Sequence, residues 1–277
     1  MRIFLDAMGS VGGTMIGEQI SKVIESKNKT FPVGTIVRSH SGWKTRSIIT
    51  QEHVNRMPEL GSLPLSTALG VMGMPGMTAY FGLLEICQPK KGETLVVSGA
   101  AGAVGSLVGQ IAKIKGCRVI GFAGDDDKCK WLKELGFDFA YNYKKTTVHD
   151  AMKEAAPGGV DCYFDNVGGD FTLTVLEHMK QCGRVAVCGF ISQYNATEKG
   201  QGIFPFSTIS LKTLLIQGFG SHQWQDRWPE GEQQMAEWIK QGKIKYRETI
   251  TEGFENMYTA FLGLFKGSNT GKAIIKC

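Results

Sequence analysis

The run Glu93-Thr94-Leu95-Val96-Val97-Ser98 leads into Gly99-Ala100-Ala101-Gly102-Ala103-Val104-Gly105, and then into Ser106-Leu107-Val108-Gly109-Gln110-Ile111-Ala112-Lys113-Ile114-Lys115. A short apolar, β-branched run bounded by glycine reads as a buried strand. Val104, Leu107, Val108, Ile111 and Ile114 recur at helical spacing, so Val104–Lys115 reads as a helix. Arg118–Ala123 (RVIGFA) is a second buried strand. Strand, glycine turn, helix and strand make a βαβ unit, whose strands lie parallel.

The same turn can carry chemistry. Aligned on G-x-G-x-x-G, its first glycine is Ala100, so the fingerprint is imperfect. Gly102 would let backbone approach a pyrophosphate, Gly105 would let the helix pack on the strand, and the helix start supplies N–H donors. A purely structural turn is the competing reading, and the βαβ context favours the dinucleotide. The end of the second strand selects which one. An NAD-binding fold places Asp or Glu there for the ribose hydroxyls. Here Val119-Ile120-Gly121-Phe122-Ala123 ends in small residues, which leaves room for a 2′-phosphate, and Lys128 follows a few residues on. Asp125, Asp126 and Asp127 read as the N-cap and first-turn acids of the next helix. NADP(H) is therefore favoured over NAD, although Lys128 alone could be a solvated lysine.

Outward from this unit the alternation continues. Helices are expected at Lys128–Leu135 and Phe171–Gln181, and strands at Val160–Asn166, Arg184–Phe190 and Thr213–Phe219. Alternating βα units with continuous apolar strands predict an α/β fold, a doubly wound parallel sheet of Rossmann type. Met77–Ile86 reads as a preceding helix. Pro229–Gln241 (helix), Tyr246–Thr251 (strand), Phe254–Lys266 (helix) and Lys272–Lys276 (strand) complete the chain. The first seventy-odd residues read as short strands and turns. Gln19–Glu25 alternates, Val33–Val37 resembles its hairpin partner, and Val33, Ile36, Val37, Ile48 and Ile49 are expected on strands. The layout predicted is a partial β-rich domain over 1–73, a dinucleotide-binding domain over 74–245, and a return to the first domain over 246–277.

Composition limits the partners. The 277 residues carry 31 basic and 26 acidic side chains, a net charge of +5, without any basic block. That charge suits an anionic small molecule and gives no support for nucleic acid. No stretch approaches the roughly 18 apolar residues of a membrane span, and the apolar opening Met1-Arg2-Ile3-Phe4-Leu5 stops at Asp6. The 36 glycines exceed the average of roughly 7% and indicate many tight turns. Seven cysteines, with no C-x-x-C among them, read as reduced thiols of a cytoplasmic protein rather than disulfides or zinc ligands. His40, His53, His149, His178 and His222 pair with no cysteine at ligand spacing, so no metal is expected.

Three further segments fall where parallel strands should end: Asp165-Asn166-Val167-Gly168-Gly169, Cys188-Gly189-Phe190-Ile191-Ser192-Gln193-Tyr194, and Gly218-Phe219-Gly220. Ligands of open α/β sheets bind outside those ends. Ordinary βα turns explain the glycines equally well.

Taken together, Gly73-Met74-Pro75-Gly76-Met77-Thr78-Ala79-Tyr80-Phe81-Gly82-Leu83, Ala100–Gly105, Asp161–Gly169 and Gly253-Phe254-Glu255-Asn256-Met257 resemble the zinc-free prostaglandin reductases of the medium-chain dehydrogenase/reductase superfamily. The resemblance runs over nearly the whole chain. It implies a Rossmann domain inserted in a split, GroES-like β-rich catalytic domain. It also implies a cytoplasmic, homodimeric NADPH-dependent reductase of α,β-unsaturated aldehydes and ketones, 15-oxo-prostaglandins included, with leukotriene 12-hydroxy oxidation as a further activity. By that resemblance Gly102, Ala103, Val104 and Gly105 would hold the pyrophosphate, and Lys128 with Tyr143 the phosphorylated ribose. Asn166, Cys188, Gly189, Phe190, Ile191, Ser192, Gln193, Tyr194, Phe219, Gly220, Ser221 and Asn269 would also line the cofactor. Tyr194 would be the active-site tyrosine, fixing the nicotinamide ribose and the substrate oxygen. Where zinc-binding relatives carry Gly-His-Glu, this chain reads Gly17-Glu18-Gln19. Met1 aligns inside the catalytic domain and Ile3–Gly13 match the family poorly, so the β-rich domain is expected to be N-terminally incomplete. Two alternatives stand beside this reading: a quinone oxidoreductase of the same superfamily, and an NADP-binding protein without catalysis.

Overall fold

The structure is a computed structural model in which residues 12–196 and 205–277 are described. Most of the opening segment that matches the family poorly lies outside the described residues. At the centre is a six-stranded, wholly parallel sheet. Its strands are β4 (Thr94–Val97), β5 (Arg118–Ala123), β6 (Phe139–Asn142), β7 (Val160–Asp165), β8 (Met179–Val187) and β9 (Leu215–Gly218), in the order β6-β5-β4-β7-β8-β9. The order reverses between β4 and β7, where the crevice of a doubly wound sheet opens.

Alternation along the buried strands builds two cores. Leu95 and Val97 of β4 face one side, with Met77, Phe81, Leu107, Ile111 and Trp131. Val96 between them faces the other, with Ile120, Phe122, Met152 and Val175. Helices α1 (Met74–Phe81), α2 (Gly105–Ile114) and α7 (Trp228–Lys240) cover the first face, and α4 (Val148–Ala155) and α5 (Gly169–Glu177) the second. Between these, α3 (Asp126–Glu134) follows β5, and α6 (Phe206–Leu211) precedes β9. Asp125 caps α3 by accepting the Lys128 N–H at 2.8 Å, and Thr147 caps α4 by accepting that of Asp150 at 3.1 Å.

Two small sheets flank this body. β1 (Gln19–Lys22), β2 (Ile36–Ser39) and β3 (Val54–Asn55) form an antiparallel sheet. β10 (Glu248–Glu252) and β11 (Lys272–Lys276) pair in parallel, with α8 (Met257–Lys266) as their crossover. The chain's last segment meets its first through side chains: Trp43 packs edge-on against Phe261, and Ser66 Oγ donates to Glu248 at 2.8 Å.

Several expectations are corrected. The helix expected through Gln181 stops at Glu177, because Met179 is buried in the second core and pairs with Val160. The positive φ of Cys182, 58°, lets the strand kink and resume as Arg184 pairs with Cys162. The helix expected over Met77–Ile86 starts earlier, at Met74, and is α-helical only to Phe81, the rest being a π-helical segment over Gly82–Cys87. Ile36 and Val37 lie on β2 as expected. Val33 sits at the loop tip that closes when Gly34 N–H bonds Val23 O at 2.8 Å, and Ile48 is fully solvated.

Candidate active site

Ser98 follows β4, and the turn after it closes as Gly102 N–H donates to Gly99 O at 3.1 Å. Gly105 begins α2, where a Cβ would stand 2.5 Å from Gly99 O and 2.8 Å from Ala100 Cα. No side chain fits that contact, so Gly105 is the close-packing glycine of the turn. Gly102 has more room, its nearest neighbour being Gly99 O at 3.3 Å from a Cβ. No side chain caps the start of α2; Ser106 and Leu107 N–H turn back to Gly102 O and Val104 O, and the positive end of the helix dipole faces the turn, where an anion is favoured. The C-terminal segment comes to the same turn. Gly271 N–H donates to Ala101 O at 2.8 Å and Gly271 bridges Gly102, while Asn269 Nδ2 donates to Gly271 O at 2.8 Å. Asn269 therefore lies beside the turn although 164 positions separate it from Gly105.

At the end of β5 all three acids are accounted for. Asp125 caps α3, Asp126 accepts from Asn142 and pairs with Lys145, and Asp127 pairs with Lys130. The residue after the strand is Gly124, and a Cβ there would stand 3.0 Å from the Tyr143 hydroxyl. Lys128 is only 9% exposed, which corrects the solvated-lysine reading. Its Nζ donates to Gly267 O and lies 3.7 Å from the Asp125 carboxylate. Tyr143 thus lies beside the β5 end at Gly124, Lys128 is held on the following helix, and no acid stands at the strand terminus itself.

Across the crevice, Asp165 closes β7 and is 1% exposed. Its Oδ1 accepts from Ser98 Oγ (3.0 Å), Tyr163 OH (2.8 Å), Val167 N–H (2.9 Å) and Gly168 N–H (2.9 Å), and its Oδ2 from Thr172 Oγ1 (2.5 Å). Ser98 Oγ accepts from Asn166 N–H at 2.9 Å, and Asn166 Nδ2 donates to Ser98 O at 2.8 Å. The ends of β4 and β7 are thereby tied together. The loop after β8 is laced to the same point. Cys188 and Gly189 N–H donate to Asp165 O at 2.8 and 3.1 Å, and Ser192 bonds Val167 O through N–H and Oγ. Gln193 N–H closes the loop onto Phe190 O at 2.8 Å, and Ile191 N–H reaches Asn166 O.

Tyr194 sits at the end of that loop, its ring edge-on to Phe190, its hydroxyl 3.2 Å from where a Gly189 Cβ would be. Burial raises its pKa above the ordinary tyrosine value. At neutral pH it is a hydrogen-bond donor and stabiliser rather than an anion. Burial, then the charge of Asp165, pushes the Cys188 thiol up to about 12.

A cavity of about 670 Å³ opens between the strand ends and the small antiparallel sheet. Val104, Cys188, Phe219, Gly220 and Ser221, all singled out from the sequence, line one wall. Phe219 is fixed edge-on against Phe164 at 5.9 Å. Glu18, Arg38, His40, Asn55 and Trp228 line the opposite side. Apart from Glu18 in Gly17-Glu18-Gln19, no sequence motif marks this second wall, because its members come from in and beside β1–β3 and from α7 and meet only through the fold. Lys128 and Tyr143 are not among the lining residues; they belong to the edge beside Gly124.

Residues 103–238 match the family described as zinc-binding dehydrogenase, and residues 1–57 that described as N-terminal domain of oxidoreductase. Prostaglandin reductase 1 of Bos taurus is 53% identical over 283 residues, spanning 100% of this chain and 85% of that protein. The chain belongs to the prostaglandin reductase family. A more distant relative of this family member is the NADP(+)-dependent 2-alkenal reductase of Nicotiana tabacum, 43% identical over 95% of this chain and 77% of that protein. CurA from Vibrio vulnificus, crystallised in complex with NADPH, superposes with a TM-score of 0.88 at 42% identity, over 95% of this chain and 79% of that one. The zinc in the broader family's description does not fit these residues. No group of three or more His, Cys, Asp or Glu among the described residues could hold a metal ion, and Glu18 pairs with Arg38 instead.

Proposed function

We propose that this prostaglandin reductase relative is an NADPH-dependent enzyme that saturates the carbon–carbon double bond of α,β-unsaturated aldehydes and ketones. The observation that carries the reading is the cavity itself. One wall is the switch point of a dinucleotide fold and the other is a separate, charged sheet, so a small molecule and a cofactor can meet there. The residues fit the cofactor: a turn without side chains at Gly102 and Gly105, an uncapped helix start, and a strand end at Gly124 without an acid. When bound, NADPH supplies the hydride.

The chain's own residues do the rest. Gly102, Ala103, Val104 and Gly105 would hold the pyrophosphate, and Lys128 and Tyr143 the phosphorylated ribose. Asn166, the Cys188–Tyr194 loop, Phe219–Ser221 and Asn269 would complete the cofactor site. Tyr194, neutral and half-buried, would fix the nicotinamide ribose and the substrate oxygen, its single O–H donating to one while its oxygen accepts from the other. Cys188, held as a thiol, coexists with an electrophilic alkene, because the thiolate is the nucleophile.

The reading extends to 15-oxo-prostaglandins, leukotriene 12-hydroxy oxidation and lipid and fatty acid metabolism, in the cytoplasm. No helix among the described residues is long and apolar enough to cross a membrane. The layout would be a β-rich catalytic part over 1–73 and 246–277, with the dinucleotide domain over 74–245. A homodimer is supported by β9, an edge strand with Leu215 52% exposed and Leu211 exposed just before it. The test is NADPH consumption with a trans-alkenal, and a product heavier by two hydrogens. NADPH binding without turnover would leave a non-catalytic binding protein.

A further inference from the structure

In the second wall of the cavity is a cation that the cofactor site does not use. Arg38 lies on β2, the middle strand of the small sheet, and is 4% exposed. Five N–H donors go with a guanidinium, yet its surroundings use few of them. Nη1 donates to Ala68 O at 3.3 Å, and the group stands 5.9 Å over the Trp228 ring. Nε forms an ion pair with Glu18 Oε1 at 3.2 Å but, though buried, makes no hydrogen bond.

Glu18 holds the group in place without neutralising it alone. Its charge also acts on Lys272, an ammonium that burial pushes down and Glu18 pulls back up. His40 approaches Glu18 only at 4.0 Å and is engaged with Asn55 at 2.8 Å. Arg56, the other guanidinium of this wall, is committed to Glu232. Arg38 is thus a preorganised, underused donor set in a low-dielectric wall, where fixed donors stabilise developing charge most strongly.

We propose that Arg38 is the electrophilic group of this cavity, taking up the negative charge that forms on the substrate's carbonyl oxygen. The inference rests on the reductase reading. Hydride adds to the β-carbon, the alkene π pair shifts toward the carbonyl, and the carbonyl oxygen becomes an enolate oxygen bonded to the guanidinium. A solvent proton then adds to the α-carbon and the carbonyl re-forms. The balance is one enal, one NADPH and one proton to one saturated aldehyde and NADP⁺. A guanidinium already partnered by Glu18 suits a neutral carbonyl that gains charge only in the transition state, more than it suits a resident carboxylate.

The experiment compares Arg38→Met, Arg38→Lys and the Glu18→Gln/Arg38→Met double variant on a trans-alkenal, with NADPH affinity measured separately by fluorescence. The expected result is a fall in kcat of about 10²-fold for Arg38→Met, NADPH affinity unchanged, and partial recovery of kcat on adding guanidinium ion. A Met variant whose kcat stays within about threefold of wild type overturns the proposal. So does a loss confined to KM for carboxylate-bearing enones, which would make Arg38 a carboxylate anchor. Should the Met variants fail to fold, Arg38→Lys decides. A steeper dependence of kcat on ring substituents of cinnamaldehydes supports electrophilic assistance, and an unchanged dependence overturns it. No turnover by the wild-type enzyme, with NADPH bound, would overturn the reductase reading itself.

Discussion

Asp165→Ala tests whether the site is held together from beneath. The carboxylate receives five donors in a fully buried position. Three are hydroxyls that can turn elsewhere. Ser98 Oγ already accepts from Asn166, and Tyr163 OH and Thr172 Oγ1 lie 3.2 Å apart, within reach of each other. The N–H groups of Val167 and Gly168 cannot turn, and each buried donor left unsatisfied costs about 1–3 kcal/mol. Removing a buried carboxylate also returns its desolvation cost, which offsets part of the loss. The net expectation is a destabilisation of about 2–4 kcal/mol. Asp165→Asn keeps the Oδ1 acceptor and can donate to Thr172 Oγ1 in place of Oδ2, so about 1–2 kcal/mol is expected. Urea denaturation followed by circular dichroism measures both, at constant m. Because the loop after β7 hangs on this carboxylate and Ser192 of the loop after β8 bonds Val167 O in turn, NADPH affinity should fall in the same order, Ala below Asn. An Ala variant within about 1 kcal/mol of wild type, with unchanged NADPH binding, would refute the reasoning.

Lys128→Ala should cost about 1–3 kcal/mol of NADPH affinity, the scale of a charge-assisted hydrogen bond, and leave NADH affinity nearly unmoved; equal losses would show that Lys128 does not read the phosphate. Gly105→Ala forces backbone apart and should destabilise by about 1–3 kcal/mol. Gly102→Ala should stay within about 1 kcal/mol of wild type in stability yet lose NADPH, and thermal melts with and without cofactor separate the two. Mass spectrometry after exposure to an enal should find adducts on exposed Cys182 and Cys277, and none on Cys188 while the protein stays folded. Stability should be flat between about pH 7 and about pH 9, and should begin to fall below that because burial, then the neighbouring His149, holds His178 low, so the unfolded state takes up the proton first. It falls further on the acid side because Glu93 and Asp138 are held low. Burial opposes this in both, but Arg184 overcomes it for Glu93, and Lys113 for Asp138. It falls on the alkaline side because burial raises Tyr163, so protonation favours the fold until unfolded tyrosines ionise near pH 10. A midpoint that climbed above that pH would contradict the sign.

What could be read from the sequence was what is encoded locally. Strand β4, the glycine turn and α2 follow from a dozen consecutive residues, and β11 falls on Lys272–Lys276 as the apolar run indicates. Helix α4 was equally legible and unread: Thr147 and Asp150 form a cap, and Ala151, Met152 and Ala155 recur at helical spacing into the core. Strand β6 was not legible, because FAYN is short and only half-buried, pairing with β5 by register rather than by an apolar run of its own. The over-long helix after Gly168 has a similar cause. Met179 continues the helical apolar pattern, and only its pairing with Val160 shows that it starts a strand.

The site divides along the same line. Apart from Lys128 and Asn269, the residues proposed for the cofactor sit in turns directly after strands, so each is tied to a motif within its own βα unit. The facing wall depends on four contacts that cross the chain: Arg38 to Ala68 O, Arg38 to Trp228, Arg56 to Glu232, and Ser66 to Glu248. None has a spacing a sequence pattern could register. A change on that wall, such as loss of the Glu18–Arg38 pair, leaves every cofactor motif intact while altering the charge a substrate meets. Relatives sharing the glycine turn and the Asp165 network can therefore differ in substrate through a few side chains of β1–β3, and that small sheet is the place to look for the specificity of this chain.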